Sequence, residues 1–268
     1  MTNKTRILFI TQEMDPYLDL SGIGSLIQKL PAYAQENGME IRILMPRFGV
    51  INERRHRLHE VVRLSGMNII INDDDFALII KVASLPGSRI QVYFLDNDEF
   101  FKRKSVFADE AGQLHSDNQD RMVFFCKGAL ETVRKFGWPP DIVHCHGWMT
   151  SLIPFYLKTS YKNDPVFKHS KVVFSVYDQN IESSFTEDFL KKAAINNLKP
   201  EQLLAYRNGT GITLDKGAIQ YADGIIQGSP QIGQGAESAI QASEKPFLRT
   251  EGEEYLPSYL EFYKNLVQ

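Results

Sequence analysis

The apolar run Ile7-Leu8-Phe9-Ile10, the loop Ser21-Gly22-Ile23-Gly24 and the stretch 41–46 decide how this chain begins to fold. A short continuous apolar run is the pattern of a strand buried on both faces. After the glycine loop, Ile23, Leu26, Ile27, Leu30, Tyr33 and Ala34 recur at spacings of three and four, which marks one face of a helix. Gly38 stands where a helix closes on a left-handed residue. Ile41, Ile43 and Leu44 then give a second strand that ends at Pro46. Strand, helix, strand in this order is one parallel crossover unit.

Further along, residues 67–71, 76–84 and 90–95 are rich in Ile and Val, with polar turns at Asn72-Asp73-Asp74-Asp75 and Pro86-Gly87-Ser88. Residues 66–95 therefore read as an antiparallel insertion, and 96–118 as a long polar loop. The alternation then resumes. Helices are expected over 119–136, 152–157, 185–194 and up to Ala222, and strands over 141–145, 172–176 and 224–227. The predicted class is α/β: a Rossmann-like, doubly wound parallel sheet over residues 1–250 with a small antiparallel insertion. Residues 251–268, with Tyr255, Tyr259, Phe262, Tyr263 and Leu266, read as a closing amphipathic helix.

Composition narrows the function. The chain has 268 residues, 43% of them apolar and 24% charged, with a net charge of −3. That balance excludes wholesale disorder and provides no basic field for nucleic acid, so the clusters Arg54-Arg55-His56-Arg57 and Lys102-Arg103-Lys104 read as solvated faces. Cys126 and Cys145 cannot make a disulfide framework. No apolar run approaches the ~20 residues that span a bilayer, and the start, Met1-Thr2-Asn3-Lys4-Thr5-Arg6, has no secretory pattern. The expectation is a cytoplasmic protein without nucleic-acid or membrane partners.

Ligands of open α/β sheets bind beyond the carboxyl ends of the strands. Four segments fall there: 15–25, 144–148, 177–180 and Ser229-Pro230. Gly22 and Gly24 either bring backbone N–H groups to an anion or make a plain tight turn; Asp19 weakens a pyrophosphate reading by repulsion. His144 and His146, two apart, share one strand face, and Cys145 faces away. No further ligands complete a metal site, so none is expected. The two histidines are read as donors to sugar hydroxyls or phosphate, or as core residues, and Trp148 as a sugar platform or core filler. Neither a nucleophile elbow nor a P-loop occurs.

Together these segments resemble the N-terminal catalytic domain of the bacterial glycogen synthase and plant starch synthase family. The likeness spans residues 6–242. It rests on Glu13 and Pro16, Met45-Pro46-Arg47-Phe48-Gly49, Tyr93-Phe94-Leu95-Asp96-Asn97, Asp117-Asn118, and Phe136-Gly137-Trp138-Pro139-Pro140-Asp141-Ile142-Val143-His144-Cys145-His146. It continues through Trp148, Lys216-Gly217, Tyr221-Ala222-Asp223 and Ser229-Pro230. The resemblance implies one half of a GT-B glycosyltransferase, whose family moves glucose from ADP-glucose to the non-reducing end of an α-1,4-glucan without metal or cofactor.

Departures gather at strand ends. Where the family has Lys-Thr-Gly-Gly-Leu-Ala-Asp, this chain has Asp19-Leu20-Ser21-Gly22-Ile23-Gly24-Ser25; a donor-side lysine becomes Asp19 and an acceptor-side aspartate becomes Ser25. The family's His-Asp-Trp-His or His-Asp-Trp-Gln is here His146-Gly147-Trp148-Met149, and its His-Asn is Tyr177-Asp178. The family's second, nucleotide-binding domain has no room in a chain of this length. The resemblance thus implies a glycogen synthase-like protein that is inactive as an isolated chain, with glycogen as partner and with a separate C-terminal domain or self-association completing it. The alternatives are a non-catalytic glucan-binding or regulatory subunit and a paralogue whose cleft became an oligomer interface. The residues implied at the sugar site are Asp19, Ser21, Gly22, Gly24, Ser25, His144, His146, Trp148, Met149, Tyr177 and Asp178, with His146 the one choice for chemistry.

Overall fold

A computed structural model describes residues 4–179, 181–250 and 255–268. The elements run β1 (Arg6–Thr11), α1 (Ile23–Glu36), β2 (Glu40–Pro46), α2 (Glu53–His56), β3 (His59–Glu60), β4 (Met67–Ile71), β5 (Asp74–Ser84) and β6 (Gln91–Asp96). They continue through α3 (Asp98–Phe101), α4 (Asn118–Phe136), β7 (Ile142–His146), α5 (Ile153–Lys158), β8 (Lys171–Val176), α6 (Asp188–Ala193), β9 (Arg207–Asn208) and β10 (Gly211–Ile212). The last are α7 (Leu214–Tyr221), β11 (Gly224–Gln227), α8 (Gln234–Ser243), β12 (Phe247–Arg249) and α9 (Tyr255–Val267).

The main sheet has the order β12-β11-β8-β7-β1-β2-β6-β5-β3, with β4 paired to β5. From β12 to β6 every pairing is parallel. The chain starts in the middle, builds outward to β6, returns to β7 and then builds the other way. Direction therefore reverses between β1 and β7, which is where open α/β sheets bind ligands. The strand 91–96 belongs to both parts of the sheet, since β6 runs parallel to β2 and antiparallel to β5. Antiparallel texture proper is confined to β3, β4 and β5, beside a separate two-stranded β9–β10 ribbon.

Alternation along the strands divides the core into two layers. Phe9, His144 and His146 face the layer holding α9, whose Tyr263 reaches His144. Cys145 faces the other layer, near Cys126 of α4. Both thiols are buried and free. The helix expected over 119–136 forms as α4 and closes on left-handed Gly137; α1 closes just before Gly38, also left-handed. The helix expected over 185–194 is shorter, because residues Glu182–Ser184 make a tight turn first. Within 251–268 the helix begins at Tyr255, and residues 251–254 lie outside the described residues. Buried Tyr259, Leu260 and Tyr263 hold α9 to the sheet, each burial worth about 1.5–3 kcal/mol before entropy. Among the described residues, no helix is long and apolar enough to cross a membrane.

Candidate functional site

At the reversal point, β1 delivers Thr11, Gln12 and Glu13, β7 delivers His146 and Gly147, and β8 delivers Tyr177. Glu13 is fully buried, and its Oε1 accepts the N–H of Ser21 at 2.9 Å, the Ser21 hydroxyl at 2.8 Å and the N–H of Gly24 at 3.3 Å. Asp19 Oδ1 accepts the N–H of Gly22 at 3.2 Å. The Ser21, Gly22 and Gly24 amides, expected to be offered to a ligand, are thus already held by two carboxylates of the chain itself. Gly22 sits at φ 78°, a conformation that side chains avoid. At these three N–H groups an arriving anion would meet carboxylates already in place.

The strand ends differ. His146 Nδ1 pairs with the Tyr177 hydroxyl at 2.8 Å. His146 Nε2, Gln12 Nε2 and Glu13 Oε2 are buried and have no partner among the described residues. Burial pushes the His146 imidazole down to about 3, so it is neutral near pH 7. His144 is satisfied at both nitrogens, by Tyr263 at 2.6 Å and by Ser175 at 2.8 Å, and burial together with the neighbouring His146 holds it well below the usual histidine range. The two rings lie 3.8 Å apart, too close for both to carry charge.

Gly147 explains one departure in the motif. Its φ of 84° and ψ of 161° belong to glycine, and a β-carbon there would lie 2.3 Å from the Gln12 carboxamide. Gln12 fills the space a side chain at 147 would need, and its Oε1 takes the N–H of Met149 at 3.4 Å. Met149 is fully buried, with its carbonyl accepting from the Cys126 thiol, and is a core residue. Trp148 packs edge-on against Phe107 and Phe185, so it fills the core and is not a free platform.

Tyr177 is also buried, and its ring lies against Gly228, where a β-carbon would meet it at 2.4 Å. Gly228 forms one wall of a cleft of about 240 Å³, with Gly22, Ser25, Ser229, Tyr255 and Tyr259 around it. The Tyr177 ring backs the Gly228 wall and the Glu13-held loop contributes Gly22, while Gln12, Glu13 and His146 do not themselves line this cleft. Ser25 stands on the rim. Asp178 is exposed and donates its N–H to Ser229 Oγ at 2.9 Å; Asn180, the end of that segment, lies outside the described residues. Asp19 is exposed at the loop's outer side. Of the residues expected at the sugar site, Gly22 and Ser25 line this cleft; Ser21 and Gly24 are held by Glu13 in the same loop, and the buried His146, with His144 beside it, pairs with Tyr177.

Two other family-like segments are spent on structure. Arg47 and Asp96 pair at 2.8 Å, and Lys81 bridges Asp96 at 3.0 Å and Glu53 at 2.6 Å. Four charges so arranged cancel within the protein. Among the described residues no group of three or more His, Cys, Asp and Glu side chains could hold a metal ion. Gln12 was not singled out from the sequence, and Glu13 only through resemblance. The signal was there: a polar trio, Thr11-Gln12-Glu13, straight after a buried strand falls at the ligand end of a parallel sheet.

Comparison with known proteins agrees with this architecture. The starch synthase catalytic domain family matches residues 6–239. The glycogen synthase of Chlorobaculum parvum is 34% identical over 240 residues, covering 89% of this chain and 48% of that protein. That of Chlorobaculum tepidum is 35% identical over 252 residues, covering 88% and 50%. The chain spans about half the length of these curated relatives. Among solved structures, the catalytic domain of starch synthase IV from Arabidopsis thaliana, bound to ADP and acarbose, aligns with a TM-score of 0.78 at 20% identity, over 92% of this chain and 51% of that one. The fold is thus one half of a GT-B arrangement, and the chain belongs to the starch synthase catalytic domain family of glycosyltransferases.

Proposed function

We propose that this chain is a glucan-binding, glycogen synthase-like protein of the cytoplasm, which holds an α-1,4-glucan in the cleft above β1, β7 and β8 and does not transfer glucose by itself. The observation that carries this reading is the set of three unpartnered buried polar atoms on Gln12, Glu13 and His146. A buried polar group without a partner costs about 1–3 kcal/mol, so a ligand that supplies its hydrogen bond gains that much back. Sugar hydroxyls, which both donate and accept, suit a mixed floor of one amide N–H, one carboxylate oxygen and one imidazole nitrogen.

This chain's own loop works against transfer by the chain alone. The Ser21, Gly22 and Gly24 amides are taken by Glu13 and Asp19, so these three donors are not free to meet the departing diphosphate of ADP-glucose. Where a second domain is supplied, within a longer chain or by a partner, the same cleft would hold the acceptor end of the glucan during transfer from ADP-glucose. No cofactor is needed in either case.

The test is a pair of assays on the purified chain. Retention on glycogen and calorimetric titration with maltoheptaose should give binding that is lost in His146→Gln. Labelled glucose from ADP-glucose should not enter glycogen. Incorporation above the His146→Gln background would overturn the non-catalytic reading, and no affinity for either glucan would overturn the binding one.

A further inference from the structure

The cleft of about 240 Å³ is walled on three sides. The start of α1 contributes Gly22 and Ser25, the turn after β11 contributes Gly228 and Ser229, and α9 contributes Tyr255 and Tyr259. The family match ends at residue 239, so the α9 wall is an addition this chain makes beyond the matched residues. None of the residues lining the cleft carries a charge. A nucleoside diphosphate would find no counter-charge on these walls, whereas a neutral polar ligand needs none.

Tyr255, Tyr259 and Tyr263 recur every four residues and form one stripe of α9. Tyr259 and Tyr263 are buried, and the Tyr255 ring stands edge-on to Tyr259 with centroids 6.3 Å apart. Tyr255 itself is only half-buried and comes out of the stripe into the cleft. Its ring is thus braced by Tyr259 and open to the cleft. The hydroxyls around it are of two kinds. Thr250 donates to the Gln227 carbonyl at 2.8 Å, and Ser229 donates to the Gln231 carbonyl at 2.6 Å while accepting the N–H of Asp178. The hydroxyls of Ser25 and Tyr255 have no hydrogen-bond partner among the described residues.

An aromatic ring and a free hydroxyl on neighbouring walls suit a ligand with an apolar face and a polar rim. A glucosyl ring is such a ligand: its C–H bonds make a flat apolar face, and its hydroxyls stand out around the edge. The cleft volume lies below the ~300–1,000 Å³ typical of drug-sized ligands, so it holds one or two sugar rings and not a long stretch of glucan. We propose that Tyr255 is the sugar-stacking residue of this cleft and that, with Ser25, it selects the last one or two glucosyl units of the chain. The proposal rests on the glucan reading above. Trp148, whose sequence position suggested that role, is packed against Phe107 and Phe185 instead.

Calorimetric titration with maltose, maltotriose and maltoheptaose tests both parts. Affinity should gain little from maltotriose to maltoheptaose; a steady rise with length overturns the assignment to the chain end. Tyr255→Ala should lower maltoheptaose affinity about tenfold, whereas Tyr255→Phe, which keeps the ring, should lower it about twofold or less. Tyr255→Trp supplies a readout that a merely structural role would not move, and it serves if the alanine variant is poorly folded. Trp138 and Trp148 are buried, so a change of emission on adding maltoheptaose that the unaltered chain does not show comes from position 255. Bound glucan without that change overturns the stacking role. Equal affinity of Tyr255→Ala and the unaltered chain overturns the platform and leaves the glucan reading standing, whereas an unaltered chain that binds none of the three sugars removes both.

Discussion

The glycine loop at the start of α1 and the strand ends of β1 and β7 are neighbours, yet they treat their polar groups in opposite ways. In the loop, three backbone N–H groups and a hydroxyl are all met by Glu13 and Asp19. At the strand ends, His146, Gln12 and Glu13 each keep one buried atom unmet. Glu13 stands in both regions, one oxygen spent on the loop and the other left for the floor. Glycines make a close approach feasible, but whether a ligand is the thing that approaches depends on what already holds the amides. The more motif-like region is closed, and the open chemistry lies in the less conspicuous one.

Removing Glu13 is the strongest way to break this contrast. Glu13→Ala strips the loop of charge-assisted bonds and should cost about 3 kcal/mol in urea unfolding. The freed amides should then accept an anion, so added phosphate should raise the melting temperature of the variant more than that of the unaltered chain. Equal responses would mean that the loop was never held by that carboxylate.

Acid sharpens the contrast next. His144 and His146 are neutral in the fold, whereas an unfolded histidine titrates near 6.5. Below that value the unfolded chain binds more protons, so stability must fall as pH drops. Between pH 7 and 5.5 the two imidazoles together should cost about 2.5 kcal/mol. Asp215 works the other way: burial first, and then Glu182, raise its carboxyl to about 7, so the fold gains a proton over the same range. The measurement therefore belongs in an Asp215→Asn background, where a flat profile would contradict buried neutral histidines.

Gly147→Ala tests the packing of the floor. The strained backbone and the clash with Gln12 should destabilise by about 2 kcal/mol, and Gln12→Ala should recover only the clash, leaving the backbone part. Full additivity of the two changes would show that Gln12 does not occupy that space. Asp19→Ala is the smallest change. Losing one exposed cap should cost less than about 1 kcal/mol and leave glucan affinity alone; a tenfold loss of affinity would move the site to the loop.

Much of the fold was legible in the sequence because buried parallel strands and amphipathic helices write strong periods. The runs at Ile7 and Val172 and the stripe from Ile23 to Ala34 all became the expected elements. Short elements were not legible: β9, β10 and β12 have two or three residues each, too few for a period, and they form because neighbouring segments offer partners. In the site, His146 and Tyr177 could be picked out by their place after a strand. That Trp148 and Met149 turn inward could not, since it depends on Phe107, Phe185 and Cys126, which are distant in sequence. Nor could the closing of the glycine loop, which is decided by a carboxylate eight residues before Ser21.

Titrating the nitrogen-15-labelled chain with maltoheptaose, and separately with ADP, maps both regions in one experiment. The account predicts glucan-induced shifts centred on Gln12, Glu13, His146 and Tyr177, with ADP leaving the amides of Ser21, Gly22 and Gly24 unmoved. Shifts centred on those three amides with ADP, and none at His146 with glucan, would contradict it.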